Sequence, residues 1–205
     1  MSPFRPEAPA RRPASAYFAS VARLLAAMEA SDADGAPLAL DDAADDVVAT
    51  VLRVRAAAHK VVLIGNGGSA SIAGHMEMDF CNRVGVRAHV FNDPPVLTAL
   101  ANDHGYDTAF ERMVRLWAEP GDCLFAISSS GRSANILRGV AAAREHGCTV
   151  VTFSGFAADN PLRSAGDRNF YVASADYGEV EVAHHALGHH LTDHAAARAA
   201  AGDAA

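Results

Sequence analysis

His75 and Asp79 stand four residues apart, as do Glu181 and His185, with His189 one turn further along. On a helix this spacing lays the side chains along one face, while Glu77 falls elsewhere. A carboxylate beside a histidine can move a proton to and from carbon or oxygen. Two such helices facing one another can instead supply nitrogen and oxygen donors to a divalent metal. Five of the ten histidines lie between His184 and His194, a density that calls for a reason. A lone helical histidine is usually a surface or structural residue. His59, His89, His104, His146 and His194 are read that way.

Two further segments suit an anion. Gly65-Asn66-Gly67-Gly68-Ser69 follows the apolar run 61–64 and opens the stretch that carries His75. Ser128-Ser129-Ser130-Gly131-Arg132-Ser133 follows a second apolar run and opens another helical pattern. A strand, a tight turn and a helix N-terminus point free N–H groups and the positive end of a helix dipole at one place. Serine hydroxyls add donors, so a phosphate needs no lysine there. The plainer alternative makes Ser133 a helix cap and the other serines turn filler. Two such turns at strand carboxyl ends weigh against it. GxxxxGK[ST] is absent, which argues against nucleotide hydrolysis, and GxGxxG is absent, which argues against a dinucleotide.

The elements that position these residues follow from periodicity. Strands are predicted over 60–64, 87–91, 122–127, 149–153 and 169–173. Helices are predicted over 15–29, 41–59, 69–82, 95–103, 107–117, 133–146 and 178–199. In the first helix Phe18, Val21, Leu24, Leu25 and Met28 share a face, and the run 31–35 breaks it. Asp41 and Asp42 sit where the dipole of the second favours them. Alternating strands and helices imply a parallel sheet covered on both faces, with ligands beyond the strand carboxyl ends. Residues 1–14, rich in Pro, Ala and Arg, are expected to be disordered, and the Ala-rich end from Ala195 to fray. A single domain is expected over 15–199.

Composition bounds the function. The 205 residues suffice for one α/β domain with a full core. Asp plus Glu exceed Lys plus Arg by 24 to 17, a net charge of −7, and no basic run appears, which disfavours nucleic acid. No stretch approaches the roughly 18 apolar residues of a membrane span. The first residues lack the apolar centre of a secretory signal. Cys81, Cys123 and Cys148 lack metal spacing, and the latter two read as buried thiols of a cytoplasmic protein.

Four segments, taken in order, resemble the sugar isomerase (SIS) domain family, and within it the phosphoheptose isomerases. They are GNGGSA…H (65–75), LTALANDHGYDTAFERMV (97–114), PGDCLFAISSSGRSANILRGVAAAREHG (120–147) and GHHL (188–191). The resemblance runs from about 41 to 194. It implies a three-layer αβα sandwich around a five-stranded parallel sheet, with added N-terminal helices. It also implies a homotetramer with active sites between subunits and zinc at the site. The implied reaction converts sedoheptulose 7-phosphate to D-glycero-D-manno-heptose 7-phosphate through an enediol(ate), feeding activated-heptose synthesis. Residue by residue, it places metal ligands or acid/base groups on His75, Asp79, Glu181 and His189. Phosphate contacts fall on Ser69, Ser128, Ser129, Ser130 and Ser133, with Asn66 and Gly67 at the loop. Asp103 would face the sugar hydroxyls.

Two residues depart from the family pattern. Asp79 stands where the family has Glu, and Glu181 where it has Gln. The first shortens a proposed base by one methylene; the second adds a negative charge. They either compensate one another or adapt the site to another long-chain ketose phosphate. A third possibility is a noncatalytic SIS domain that senses sugar phosphates or binds proteins. The carboxylate and histidine present on both helices favour an enzyme.

Overall fold

The computed structural model describes residues 12–202. The disordered tail expected over 1–14 falls on 1–11, outside the described residues, and beyond them on Arg12, Pro13 and Ala14, which are placed. The elements, in order, are α1 (Ala14–Ala26), β1 (Glu29–Asp32), β2 (Pro37–Leu38), α2 (Leu40–Ala56), β3 (Lys60–Gly65) and α3 (Gly68–Asp79). Then come β4 (Arg87–Val90), α4 (Pro94–His104), α5 (Ala109–Trp117), β5 (Cys123–Ser128), α6 (Ala134–Glu145), β6 (Thr149–Gly155), β7 (Arg168–Val172) and α7 (Tyr177–Ala200).

The sheet order is β2-β1-β7-β6-β5-β3-β4. The five strands from β3 to β7 are parallel; the central β3, β5 and β6 are apolar runs buried on both faces, while β4 is a half-exposed edge strand. Alternate residues serve two cores. Val61 and Leu63 of β3 join a core with α2, α3 and α7, whereas Val62 and Ile64 join one with α5 and α6. This is the expected αβα sandwich, with one addition: seven strands instead of five.

The added pair is the hairpin β1–β2, which lies antiparallel against β7. The helix expected to reach 29 ends at Ala26, ahead of the run 31–35 that was expected to break it, and that run turns a hairpin instead. Asp32 Oδ1 accepts hydrogen bonds from the N–H groups of Asp34 and Ala36, and Gly35 takes a φ of +77°. Strands of four and two residues are too short to show a period of two. Met28 and Ala30 are buried there, beyond the end of α1. Phe18, expected on the buried face of α1, is 67% exposed. At the other terminus α7 runs unbroken to Ala200, and Ala195 is fully buried, so this segment does not fray where expected. No helix among the described residues is long and apolar enough to cross a membrane.

The chain leaves β3 through α3 toward β4 on one side, and leaves β5 through α6 toward β6 on the other. Neighbouring strands whose connections diverge open a crevice at their carboxyl ends, where ligands bind in such sheets. Gly65 and Ile127 are paired at that edge. Both loops singled out in the sequence begin there.

Candidate active site

The two loops form one cleft of about 220 Å³, lined by Asn66, Gly67, Gly68, Ser69, the four serines 128, 129, 130 and 133, Tyr177 and Glu181. Helices α3 and α6 both start at it. Gly65 lets α3 turn back closely: a Cβ there would meet the Ser69 carbonyl at 2.6 Å. Gly67 turns the chain with φ +54° and ψ −122°, a conformation reserved for glycine. Ser133 occupies the N-cap position of α6 but makes no side-chain cap; its Oγ lies 3.4 Å from Ser128 Oγ instead. Its hydroxyl is thereby left for the cleft. The buried Ser129 Oγ has no hydrogen-bond partner in the protein. Leaving such a group bare costs about 1–3 kcal/mol, which a bound acceptor would offset.

An amide clip joins the loops. Asn66 Nδ2 donates to Asn135 Oδ1 at 2.9 Å, and Asn135 Nδ2 donates back to Asn66 Oδ1 at 3.0 Å. Tyr106 Oη adds a donor to Asn66 Oδ1 at 2.6 Å, and the Ile136 N–H donates to Asn135 Oδ1. Neither Asn135 nor Tyr106 was singled out by sequence reasoning. Asn135 directly follows Ser133-Ala134 in the motif, but nothing in the spacing reveals its partner.

Next to this cleft α3 meets α7. Donor atoms of His75, His185 and His189 all lie within 4.8 Å of one another. The His185 and His189 rings are stacked at 11° with centroids 5.0 Å apart, and His75 presents edge-on to both at 4.9 and 4.6 Å. Asp79 is buried behind them. Its Oδ2 lies 3.6 Å from His75 Nε2 and 3.7 Å from His189 Nδ1, and it accepts from Thr192 Oγ1 at 3.2 Å. Arg83 approaches it at 3.8 Å from the π-helical turn Phe80–Val84 that extends α3.

The donor set fits zinc: three imidazoles and a neighbouring carboxylate. Buried His185 Nε2 has no partner in the protein, which a metal would satisfy. Burial lowers the His185 pKa, the flanking His75 and His189 lower it further, and Asp79 opposes them. The neutral ring is the form a metal needs.

Two expected residues sit elsewhere. Glu181 lies apart from the three histidines. Its carboxyl group covers Gly68, where an added Cβ would come within 2.4 Å of it, and it lines the serine cleft. On α7 it is one turn from His185, but its side chain reaches toward the glycine loop. Asp103 is exposed on α4, accepts from Asn102 Nδ2, and does not line the cleft of this chain. His185 was on the expected face yet absent from the inferred ligand set; its four-residue spacing from Glu181 and His189 was the available signal. His184, one residue away, points the other way. It is fully buried with Nε2 3.1 Å from the Ser154 carbonyl oxygen, and burial lowers its pKa to about 4. A second hollow of about 270 Å³ lies between β1 and the 158–164 segment; Arg163 on its wall is stacked on Tyr171 and paired with Glu29, so its charge is already engaged.

The family model described as the SIS domain matches residues 16–155. The chain belongs to the SIS-domain family. Among SIS proteins, the phosphoheptose isomerase of Mycobacterium tuberculosis is 37% identical over 146 residues, covering 66% of this chain and 71% of that protein. The phosphoheptose isomerase of Aquifex aeolicus is 34% identical over 153 residues, 72% and 78% of the two chains. The structure of phosphoheptose isomerase GmhA from Neisseria gonorrhoeae matches with a TM-score of 0.76 at 28% identity, over 87% of this chain and 95% of that one. In this SIS domain, as the family resemblance implied, the glycine loop and the serine loop converge on one cleft.

Proposed function

We propose that this chain isomerises sedoheptulose 7-phosphate to D-glycero-D-manno-heptose 7-phosphate, in a route to activated heptose. The observation that carries this reading is the clipped double loop, with one carboxylate, Glu181, on its wall and a histidine cluster beside it. The relatives named phosphoheptose isomerase support the substrate class.

The phosphate sits among the hydroxyls of Ser69, Ser128, Ser129, Ser130 and Ser133 at the N-terminus of α6, and the sugar chain runs from it past Glu181, whose carboxyl group covers the start of α3 at Gly68. Asn66 and Gly67 hold the loop. Glu181 takes the proton from the carbon beside the carbonyl, and a cis-enediol(ate) forms. The proton returns at the neighbouring carbon. The hydroxyl proton passes from one oxygen of the enediol(ate) to the other. Asp79 is buried against His75 and His189, so it positions imidazoles rather than reaching carbon. Zinc, held by His75 and His189 with Asp79 beside them, supplies Lewis-acid stabilisation of the developing oxyanion when bound.

The reading includes a cytoplasmic homotetramer with sites between subunits. Exposed Phe18 on α1, Tyr177 and Val182 on α7, and Trp117 on α5 are apolar side chains that a second copy would cover. An interfacial site would also give Asp103 a role across the boundary. Light scattering reads the oligomer, and cell fractionation reads the location. Incubation of the purified protein with sedoheptulose 7-phosphate, with and without zinc, is the deciding test. Formation of an aldoheptose 7-phosphate is expected; no turnover in either condition sinks the substrate assignment.

A further inference from the structure

We infer that the metal ligands of this chain are the three imidazoles of His75, His185 and His189, and that Glu181 stands outside the set, facing substrate. The inference deepens the proposed function and rests on that reading for the role of Glu181; the ligand set itself does not depend on the substrate.

Three observations carry it. The first is convergence: only these three side chains, among the described residues, bring donor atoms within 4.8 Å of one another as a group. The second is the bare Nε2 of His185, buried and without any partner in the protein. His184 Nδ1 is equally bare, but it lies in the core outside any donor cluster, whereas the bare nitrogen of His185 belongs to a residue that converges with two other histidines. The third is the direction of Glu181. Its carboxyl carbon and both oxygens crowd the space over Gly68, on the wall of the phosphate cleft. A side chain at residue 68 would push the Glu181 carboxyl group aside, so the glycine leaves room for it in this position.

Charge agrees with this division. Two carboxylates on a divalent ion would cancel its charge, leaving a weak electrophile. Three neutral imidazoles with Asp79 at their back leave a net positive charge on the ion. Asp79 Oδ2 stands beside two of the rings, 3.6 Å from His75 Nε2 and 3.7 Å from His189 Nδ1, a few tenths of an ångström beyond the hydrogen bond by which a carboxylate orients a metal-bound histidine. The shorter side chain at 79 and the acidic one at 181 become parts of one rearrangement. His185 enters the ligand set, Asp79 steps back, and Glu181 is free to take a proton.

The test reads metal, not turnover. Zinc affinity is measured by competition with a chromophoric chelator, and ligand identity by the visible spectrum of the cobalt-substituted protein. Loss of a ligand should weaken zinc at least about 100-fold, beyond what an outer partner costs. His185→Ala and His185→Asn are therefore expected to lose zinc to that extent and to change the cobalt spectrum. Glu181→Gln should stay within about twofold of the parent, with an unchanged spectrum. His190→Ala, on the outer side of α7, is the control and should match the parent. Thermal unfolding of each metal-free protein establishes that it is folded. The inference is overturned if both His185 variants bind zinc like the parent, if Glu181→Gln loses the metal, or if the parent takes neither zinc nor cobalt. Absence of heptose phosphate turnover would sink the substrate reading and leave these titrations standing.

Discussion

The two halves of the cleft are made of different material. On the serine side the chain itself does the work: a glycine with positive φ, two helix N-termini and a row of hydroxyls on backbone already in place. On the histidine side the backbone is ordinary helix, and everything depends on where long side chains point. One half is fixed by conformation and the other by rotamer. The first should therefore govern holding of the phosphate, and the second the chemical step.

The largest effect expected comes from Glu181→Gln. Removal of a general base should lower kcat by about 10²- to 10⁴-fold with KM little changed. Steady-state kinetics on the heptose phosphate measure both, and a change confined to KM would break the contrast. Ser133→Ala should do the opposite. Loss of one hydrogen bond to a charged group, about 1.5–3 kcal/mol, raises KM roughly 10- to 100-fold and leaves kcat close to the parent. An equal fall in kcat for this variant would mean that the halves do not act separately.

The histidine helix also makes a stability prediction. His184 has a pKa of about 4 in the fold against an ordinary 6.5, because burial disfavours its charged form. The unfolded chain thus binds the proton more readily between these values. Its contribution to stability is complete above pH 6.5 and is lost as pH falls toward 4, by about 2 kcal/mol at pH 5. Thermal melts from pH 7 to 5 should show this loss, and His184→Gln should flatten it. A variant as acid-sensitive as the parent would rule His184 out as the cause. The smallest effect is expected from Asn135→Ala, which opens the clip at a cost of about 1 kcal/mol. Its KM should rise several-fold while zinc affinity stays unchanged.

The contrast also explains what could be read in advance. The five parallel strands and the two loops were legible because each rests on a local rule: short apolar or aromatic runs between helical patterns, glycine where φ is positive, serine at a helix start. The face shared by Glu181, His185 and His189 was legible as well, from spacing alone. What spacing does not convey is direction within a face. Glu181 leans to Gly68, and His185 closes the triangle with His75, because of what α3 places opposite each. The β1–β2 hairpin was hidden for another reason: its strands are shorter than any period, and β7, the partner of β1 in the sheet, lies over 130 residues away in sequence, as the Glu29–Tyr171 pair shows.

The clip between Asn66 and Asn135 has a consequence for how the protein meets its surroundings. Both partners are neutral amides, and neither gains nor loses a proton across the range in which cells live. No Debye screening weakens a bond between uncharged groups as it weakens an ion pair. The distance between the two loops is thus held by a joint that acidity and salt do not loosen.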